Sequence, residues 1–158
     1  MNSIIKYCFS LVLLAAGSVP AMAAAPVELS SDIFVEKQKK MPDGSFSTVL
    51  EMPKLILPGD QLVFVVRYRN ASAKPATNFS VTNPIPNAIS FSGTSDGAEI
   101  VSIDGGKSWG KLSQLRIKQT DGSSRAALMT DVTHIKWHMN QTLAAGDAGK
   151  LIFRGVVK

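Results

Sequence analysis

The stretch PGDQLVFVVRYRNASAKPATNFSVTNPIP, residues 58–86, decides the fold. It opens on a Pro-Gly-Asp turn signal, continues as an alternating apolar run over residues 61–70, and ends in a second short apolar run closed by two prolines. The alternation predicts a strand, because successive side chains of a strand point to opposite faces. Leu62, Phe64, Val66 and Tyr68 are predicted to face the core, and Val63, Val65, Arg67 and Arg69 the other side.

The rest of the chain repeats this pattern of short alternating runs separated by turn residues, without a long helical period. Runs at 32–38 and 47–52 flank Pro42-Asp43-Gly44 and are predicted to pair as a hairpin. Further strands are predicted at 77–82, 89–92, 98–103, 112–119, 126–130, 132–139 and 150–157. About nine or ten strands in two sheets make an all-β sandwich the economical prediction.

The first residues have the pattern of a cleavable signal peptide. Lys6 precedes an apolar run over 7–16, which is too short for a membrane span of ~20 residues, and Ala21-Met22-Ala23 supplies the small residues that signal peptidase requires. We therefore expect cleavage after Ala23 and export to the periplasm or the cell exterior. Cleavage after Ala25 is disfavoured because Pro26 would follow the cut.

Residues 24–158 are predicted to form a single domain. Removing 23 of the 158 residues leaves 135, the usual size of one domain with its own core. The only cysteine, Cys8, leaves with the signal peptide, so no disulfide is expected and packing alone must hold the domain together.

The charge of the domain does not favour nucleic acid. Lys6 is the only charged residue removed, which leaves 16 basic and 12 acidic residues and a formal charge of +4. The basic residues are scattered, whereas nucleic-acid binding requires them on one face. Weak attraction to an anionic envelope surface is the more natural consequence.

Residues 102–109, SIDGGKSW, resemble the Asp-box of sialidase-like propellers. In this pattern the carboxylate of Asp104 accepts hydrogen bonds from turn amides, Gly106 supplies positive φ, and Trp109 packs back over the turn that Ser102 begins. One copy cannot build a propeller, so a structural hairpin is predicted and not glycosidase chemistry. A calcium site built on Asp104 and Asp96 is the alternative.

Both histidines lie in the run 131–139, DVTHIKWHM. On a strand, His134 and His138 share the outward face but lie ~13 Å apart, which is too far to chelate one ion. Ile135, Trp137 and Met139 are then predicted to face inward. The alternative is a copper site that combines His134 and His138 with a methionine such as Met129.

Enzymatic chemistry has little support in the sequence. There is no Gly-x-Ser-x-Gly elbow, no His-Glu-x-x-His motif and no cysteine nucleophile. The predicted protein is not an enzyme and has no cofactor.

An ordered series of motifs resembles the bacterial conserved-repeat domain called domain of unknown function eleven. The motifs are PGDQL (58–62), VVRYRN (65–70), ATNFSVTNPIP (76–86), SIDGGKSW (102–109), DVTHIKW (131–137), LAAG (143–146) and GKLIFR (149–154). The resemblance implies an immunoglobulin-like sandwich on an exported or cell-surface protein. Asn83 stands where the family pattern has an aspartate, so no ion-binding role of that position carries over.

These observations predict a non-catalytic structural or interaction module of the bacterial cell envelope, without stable membrane insertion, that meets a protein or another envelope component. Binding is expected in the polar connections 70–77 and 92–99, or by addition of a strand to an exposed edge. The alternative is a small periplasmic copper protein using His134 and His138. A pilus subunit would need an incomplete sandwich, and the predicted strand count argues against it.

Overall fold

The computed structural model describes residues 27–158 except 96 and 98. The predicted signal peptide, with Ala21 and Ala23, lies outside the described residues. Within them the chain forms ten strands: β1 (Val27–Lys40), β2 (Phe46–Glu51), β3 (Gln61–Asn70), β4 (Phe79–Pro84), β5 (Ile89–Thr94), β6 (Ile100–Ser102), β7 (Arg116–Lys118), β8 (Ser124–Ala126), β9 (His134–Met139) and β10 (Ala148–Val157). The prediction of an all-β fold is confirmed.

The strands form antiparallel sheets. A five-stranded sheet has the order β2-β1-β3-β10-β5, a three-stranded sheet has the order β4-β9-β6, and β7 and β8 form a separate hairpin. The predicted pairing of the first two strands is confirmed, with Lys40 opposite Phe46. Asp43 fixes the connecting turn by accepting hydrogen bonds from the backbone N–H and the hydroxyl of Ser45, and Gly44 adopts a φ of 86°.

Side chains from the two larger sheets share one core. Phe64 and Phe153 of the five-stranded sheet stack with their ring centroids 4.4 Å apart, and Trp137 of the three-stranded sheet packs 6.3 Å from Phe153. Ile135 beside Trp137 is fully buried. One core between two sheets is compatible with a β-sandwich.

The alternation predicted for β3 is confirmed, but both faces of the strand are buried. Leu62, Phe64 and Val66 enter the core, while Val63 and Val65 on the opposite face are also only 1% and 7% exposed. The reason lies in the neighbouring strands. An ion pair between Arg154 of β10 and Glu36 of β1 crosses β3, and Asp32 pairs with Arg67 beside Val65.

Two predicted strands are shorter than the sequence suggested. The runs 112–119 and 126–130 are divided between strands β7 and β8 and two 3₁₀ turns, Leu112–Gln114 and Met129–Asp131. Asp131 closes the second turn, because its carboxylate accepts a 2.7 Å hydrogen bond from Leu128 N–H. The same carboxylate forms a bidentate ion pair with Arg125. Apolar alternation does not reveal such side-chain contacts.

In the described part of the chain, no helix has the length and apolar character to cross a membrane.

A candidate interaction surface on the inner face of β1

The three-stranded sheet covers only part of the five-stranded sheet. Strand β9 packs over β10 through Trp137 and Phe153, and β4 packs over β3 through Phe79 and Tyr68, whose rings lie 5.9 Å apart. Strand β6 lies beside β5, where residues of both strands line one groove. Among the described residues, these contacts leave much of β1 and β2 without a facing strand, although Val35 of β1 is buried in the core.

The uncovered part of β1 carries apolar side chains that point inward. Leu29 pairs with Tyr68 and Ile33 pairs with Phe64, so both share the face of the sheet that builds the core. Leu29 nevertheless remains 53% exposed and Ile33 39% exposed. Inward-facing residues of a complete sandwich are buried between its two sheets, so the described residues leave this part of the face without a cover.

The segment that follows β2 extends the exposed apolar surface. Met52 and Leu55 are 71% and 70% exposed, and they line a groove of ≈ 510 Å³ together with Val35, the next inward-facing residue after Ile33. The end of the segment is fixed, since Leu57 N–H donates to the carboxylate of Asp60. We call Leu29, Ile33, Met52 and Leu55 the apolar strip.

The opposite end of β1 is also open. A second groove of ≈ 590 Å³ is lined by Val27, Phe79 and residues 72–77. Val27 lies two residues before Leu29 and therefore on the same face of β1, and Phe79 is the first residue of β4. The apolar strip thus runs toward a groove beside the start of β4.

Strand β4 is an end strand of its sheet. Its residues pair with β9 on one side, and within the described residues no strand pairs with its other side. An unpaired edge offers backbone N–H and C=O groups to another strand. Because β4 packs over β3, the next position in its sheet lies over β1 and the apolar strip.

Lysines lie at both ends of the strip. Lys37 and Lys54 line the first groove, and Lys74 lines the second. Glu51 lies 3.9 Å from Lys37, but both side chains are more than half exposed, and such pairs contribute little. The surroundings of the strip are therefore predominantly positive.

The four residues of the Asp-box pattern lie together in one closed turn. Asp104 Oδ1 accepts hydrogen bonds from the Ser102 hydroxyl and from the N–H groups of Lys107 and Ser108, and Oδ2 accepts one from the Ser108 hydroxyl. These hydrogen bonds hold the pKa of Asp104 far below its usual value, and the bond from the Ser108 hydroxyl has the largest effect. Trp109 Nε1–H donates to the carbonyl of Gly106 at 3.0 Å.

This turn uses both oxygens of the Asp104 carboxylate internally. The proposed second calcium ligand, Asp96, lies outside the described residues. Among the residues that are described, no cluster of three or more His, Cys, Asp or Glu side chains could hold a metal ion.

The structure does not bring the two histidines together. Both lie on the outward face of β9, four residues apart. His138 Nδ1 contacts the Ser80 hydroxyl at 3.1 Å, whereas the His134 ring lies against Trp109. The Lys136 ammonium between them sits 3.7 Å from the centre of the Trp109 ring, as in a cation–π contact.

Sequence reasoning missed Asn70, which is fully buried. Its side-chain N–H groups donate to the carbonyls of Lys74 and Leu143, and its Oδ1 accepts from the N–H and hydroxyl of Ser72. These bonds organise the connection 70–77, one of the two predicted binding loops. The other, 92–99, falls partly outside the described residues. The position of Asn70 directly before a polar loop was the available signal.

Comparison of the chain with protein-family models, curated proteins and solved structures found no match. The resemblance to the conserved-repeat domain therefore stays a prediction. Function has to be argued from the geometry of the surfaces described above.

Proposed function

We propose that this protein is a non-catalytic interaction module of the bacterial cell envelope, an exported immunoglobulin-like sandwich that docks a partner on the inner face of β1. The observation that carries the proposal is the exposure of Leu29 and Ile33, two inward-facing residues. The five-stranded sheet faces a sheet of only three strands, and the partner would cover the part of β1 that the smaller sheet leaves exposed. The docking surface is then mainly a sheet face, with the connection 70–77 at one end of it.

The energetics of the apolar strip support a binding role. Complete burial of a leucine or isoleucine side chain is worth about 1.5–3 kcal/mol. Leu29 and Ile33 still expose roughly half and two fifths of their surfaces, so a partner that covers them gains about 1 kcal/mol from each. Met52 and Leu55 are more exposed and add to this gain. Such clustered apolar exposure is typical of interaction sites.

The acidic groups with the most strongly lowered pKa values support a non-catalytic role. Hydrogen bonds within its own turn lower the pKa of Asp104, and the ion pair with Arg125 lowers the pKa of Asp131. Each carboxylate closes a local turn. In both cases the lowered pKa has a local structural cause.

The proposal is tested by comparing the wild-type protein with the double variant Leu29→Thr/Ile33→Thr. Threonine is β-branched, which suits a strand, and it removes most of the apolar surface. We expect envelope proteins that co-purify reproducibly with the wild type to be lost with the double variant. The matched control is Leu128→Thr, because Leu128 is 57% exposed but lies outside the strip. An identical set of partners with all three proteins would contradict the proposal.

A further inference from the structure

We infer that the occupant of this surface is an extended strand of another polypeptide, which adds to the free edge of β4, covers the apolar strip and carries acidic residues at its two ends. This inference rests on the proposed function and specifies the chemistry of the partner. The juxtaposition that carries it is a free strand edge beside an uncovered, inward-facing apolar surface with lysines at both ends.

The length of β4 sets the length of the added strand. Phe79–Pro84 comprises six residues, which span ~20 Å at ~3.3 Å per residue. Alternate residues of β4 direct their N–H and C=O groups toward β9, and the intervening residues direct theirs to the free edge. An added strand can therefore form a ladder along β4 up to Pro84, which has no N–H group and whose carbonyl accepts a hydrogen bond from the Asn83 side chain. These bonds supply affinity that depends little on the partner's sequence.

The apolar strip requires alternation in the added strand. Every second side chain of a strand that extends the three-stranded sheet would point toward the five-stranded sheet. Those side chains would contact Leu29 and Ile33, which are open to solvent on that face. The intervening side chains would face solvent. The partner sequence is therefore alternately apolar and polar over about six residues.

The lysines favour a strand with acidic ends from another polypeptide over a strand from a second copy of this chain. Lys37 and Lys54 lie at one end of the strip, and Lys74 lies at the other. A second copy of this chain would bring the same lysine-rich surface and a positive net charge of its own. Juxtaposed like charges disfavour that complex. Acidic residues that flank the apolar segment would instead pair with the lysines.

The test uses three synthetic ten-residue peptides and the mature protein. The first peptide alternates valine and threonine between pairs of aspartates, the second has lysines at the ends, and the third has the composition of the first with its valines grouped together. We expect the aspartate-flanked peptide to bind about tenfold more tightly than the lysine-flanked one at low salt, with the difference shrinking at high salt because exposed charges are screened. The grouped peptide should bind at least tenfold more weakly than the first. Fluorescence polarisation measures all three affinities.

Two variants separate the apolar and the charged contributions. Leu29→Thr/Ile33→Thr should weaken binding of the aspartate-flanked peptide about tenfold, since two apolar contacts at about 0.7 kcal/mol each amount to a factor of ten. Lys54→Glu/Lys74→Glu should reverse the preference between the aspartate-flanked and lysine-flanked peptides. Leu128→Thr should leave both affinities unchanged. The lysine variant keeps the proposal testable if the threonine variant is unstable.

Amide hydrogen exchange locates the bound strand. We expect the aspartate-flanked peptide to slow exchange at alternate residues of β4 and to leave β2 unchanged. Protection of β2 in place of β4 would overturn the inference, because it would show addition to an edge of the five-stranded sheet. Sedimentation of the protein alone provides a further test. A dimer that Leu29→Thr/Ile33→Thr abolishes would show that a second copy occupies the surface, which also overturns the inference.

The remaining outcomes distinguish this inference from the proposed function. If an envelope partner depends on Leu29 and Ile33 but none of the peptides binds, the proposed function holds and the added strand is wrong. If the aspartate-flanked and lysine-flanked peptides bind with equal affinity at low salt, the inferred preference for acidic ends is wrong. If neither peptides nor envelope partners depend on the apolar strip, both the inference and the proposed function are wrong.

Discussion

Asn70 shows how one polar side chain can organise a loop from inside the core. It is the last residue of β3, it is fully buried, and its amide makes four hydrogen bonds. Two of these hold the carbonyls of Lys74 and Leu143, which belong to separate connections. A buried amide with all its partners stabilises one loop conformation, while a buried group without partners is costly.

Replacement of this residue tests that role. Asn70→Ala would leave the two backbone carbonyls and Ser72 without their partner, so we expect the free energy of unfolding to fall by about 1–3 kcal/mol. Urea denaturation followed by tryptophan fluorescence measures the change. Asn140→Ala is the matched control, because Asn140 is exposed and its replacement should change stability by less than about 0.5 kcal/mol. Equal stability of the two variants would show that the Asn70 network is dispensable.

Asp131 gives the protein a dependence on acidic pH. Its ion pair with Arg125 lowers the pKa of the carboxyl from 3.8 to about 2. A folded-state pKa below the unfolded value means that the ionised group stabilises the fold at pH values above the unfolded pKa. This contribution is lost as the pH falls from about 4 toward 2.

We therefore expect the urea midpoint of the wild-type protein to decrease as the pH is lowered from about 4 to 2. Asp104, whose pKa is also lowered, should contribute in the same direction. Asp131→Asn and Arg125→Gln should each make the decrease shallower, because each removes the pair that lowers the pKa. The measurement is a series of urea titrations across this pH range. A decrease of unchanged slope in both variants would contradict the assignment.

At the scale of elements, the contact between β10 and β5 depends on a residue without a side chain. The register of the two strands shifts between Arg154 and Gly155. A Cβ atom at position 155 would overlap the Cγ2 methyl of Ile89 and would lie 3.0 Å from the backbone oxygen of Ser90. Gly155 thus permits a close approach of β5 at an irregular point of the ladder.

Gly155→Ala should consequently lower stability by about 1–3 kcal/mol, the usual cost of overpacking. A double-mutant cycle with Ile89→Leu, a side chain that has no Cγ2 methyl, should recover part of the loss. Thermal or urea unfolding of the four proteins provides the measurement. Strict additivity of the two substitutions would show that Ile89 is not the obstacle.

At the scale of the whole molecule, the unequal width of the two sheets is the main structural finding. Among the described residues, the three-stranded sheet covers β3, β10 and β5, and leaves Leu29 and Ile33 on the inner face of β1 partly exposed. The total strand count, which argued against an incomplete sandwich, is therefore not decisive. What matters is how the strands are divided between the facing sheets.

The exposure of this face predicts different costs for the same substitution at two inward-facing isoleucines. Ile33 is 39% exposed and Ile135 is fully buried. Ile33→Thr should lower the free energy of unfolding by less than about 1 kcal/mol, whereas Ile135→Thr should lower it by about 3 kcal/mol or more, since it also buries a hydroxyl group. Urea denaturation measures both. A loss at Ile33 as large as that at Ile135 would mean that β1 is covered in solution.

The sequence by itself determined much of the local structure of this protein. Alternation predicted β3 and β9 with the correct inward side chains, and the Pro-Asp-Gly turn predicted the β1–β2 hairpin, because side-chain period and turn chemistry are properties of neighbouring residues. The SIDGGKSW pattern likewise gives the hydrogen bonds of its turn, since Ser102, Asp104 and Ser108 are close in the chain.

Only the tertiary structure decided which side chains on each face of the five-stranded sheet are buried. Leu29 and Ile33 face the same side of the sheet as Leu62 and Phe64, yet the first pair is exposed and the second is buried. Val63 and Val65 face outward and are still buried, because side chains of adjacent strands cross over them. Burial depends on strands that are distant in sequence, and alternation carries no information about which strand lies opposite. The candidate docking surface follows from this division of strands.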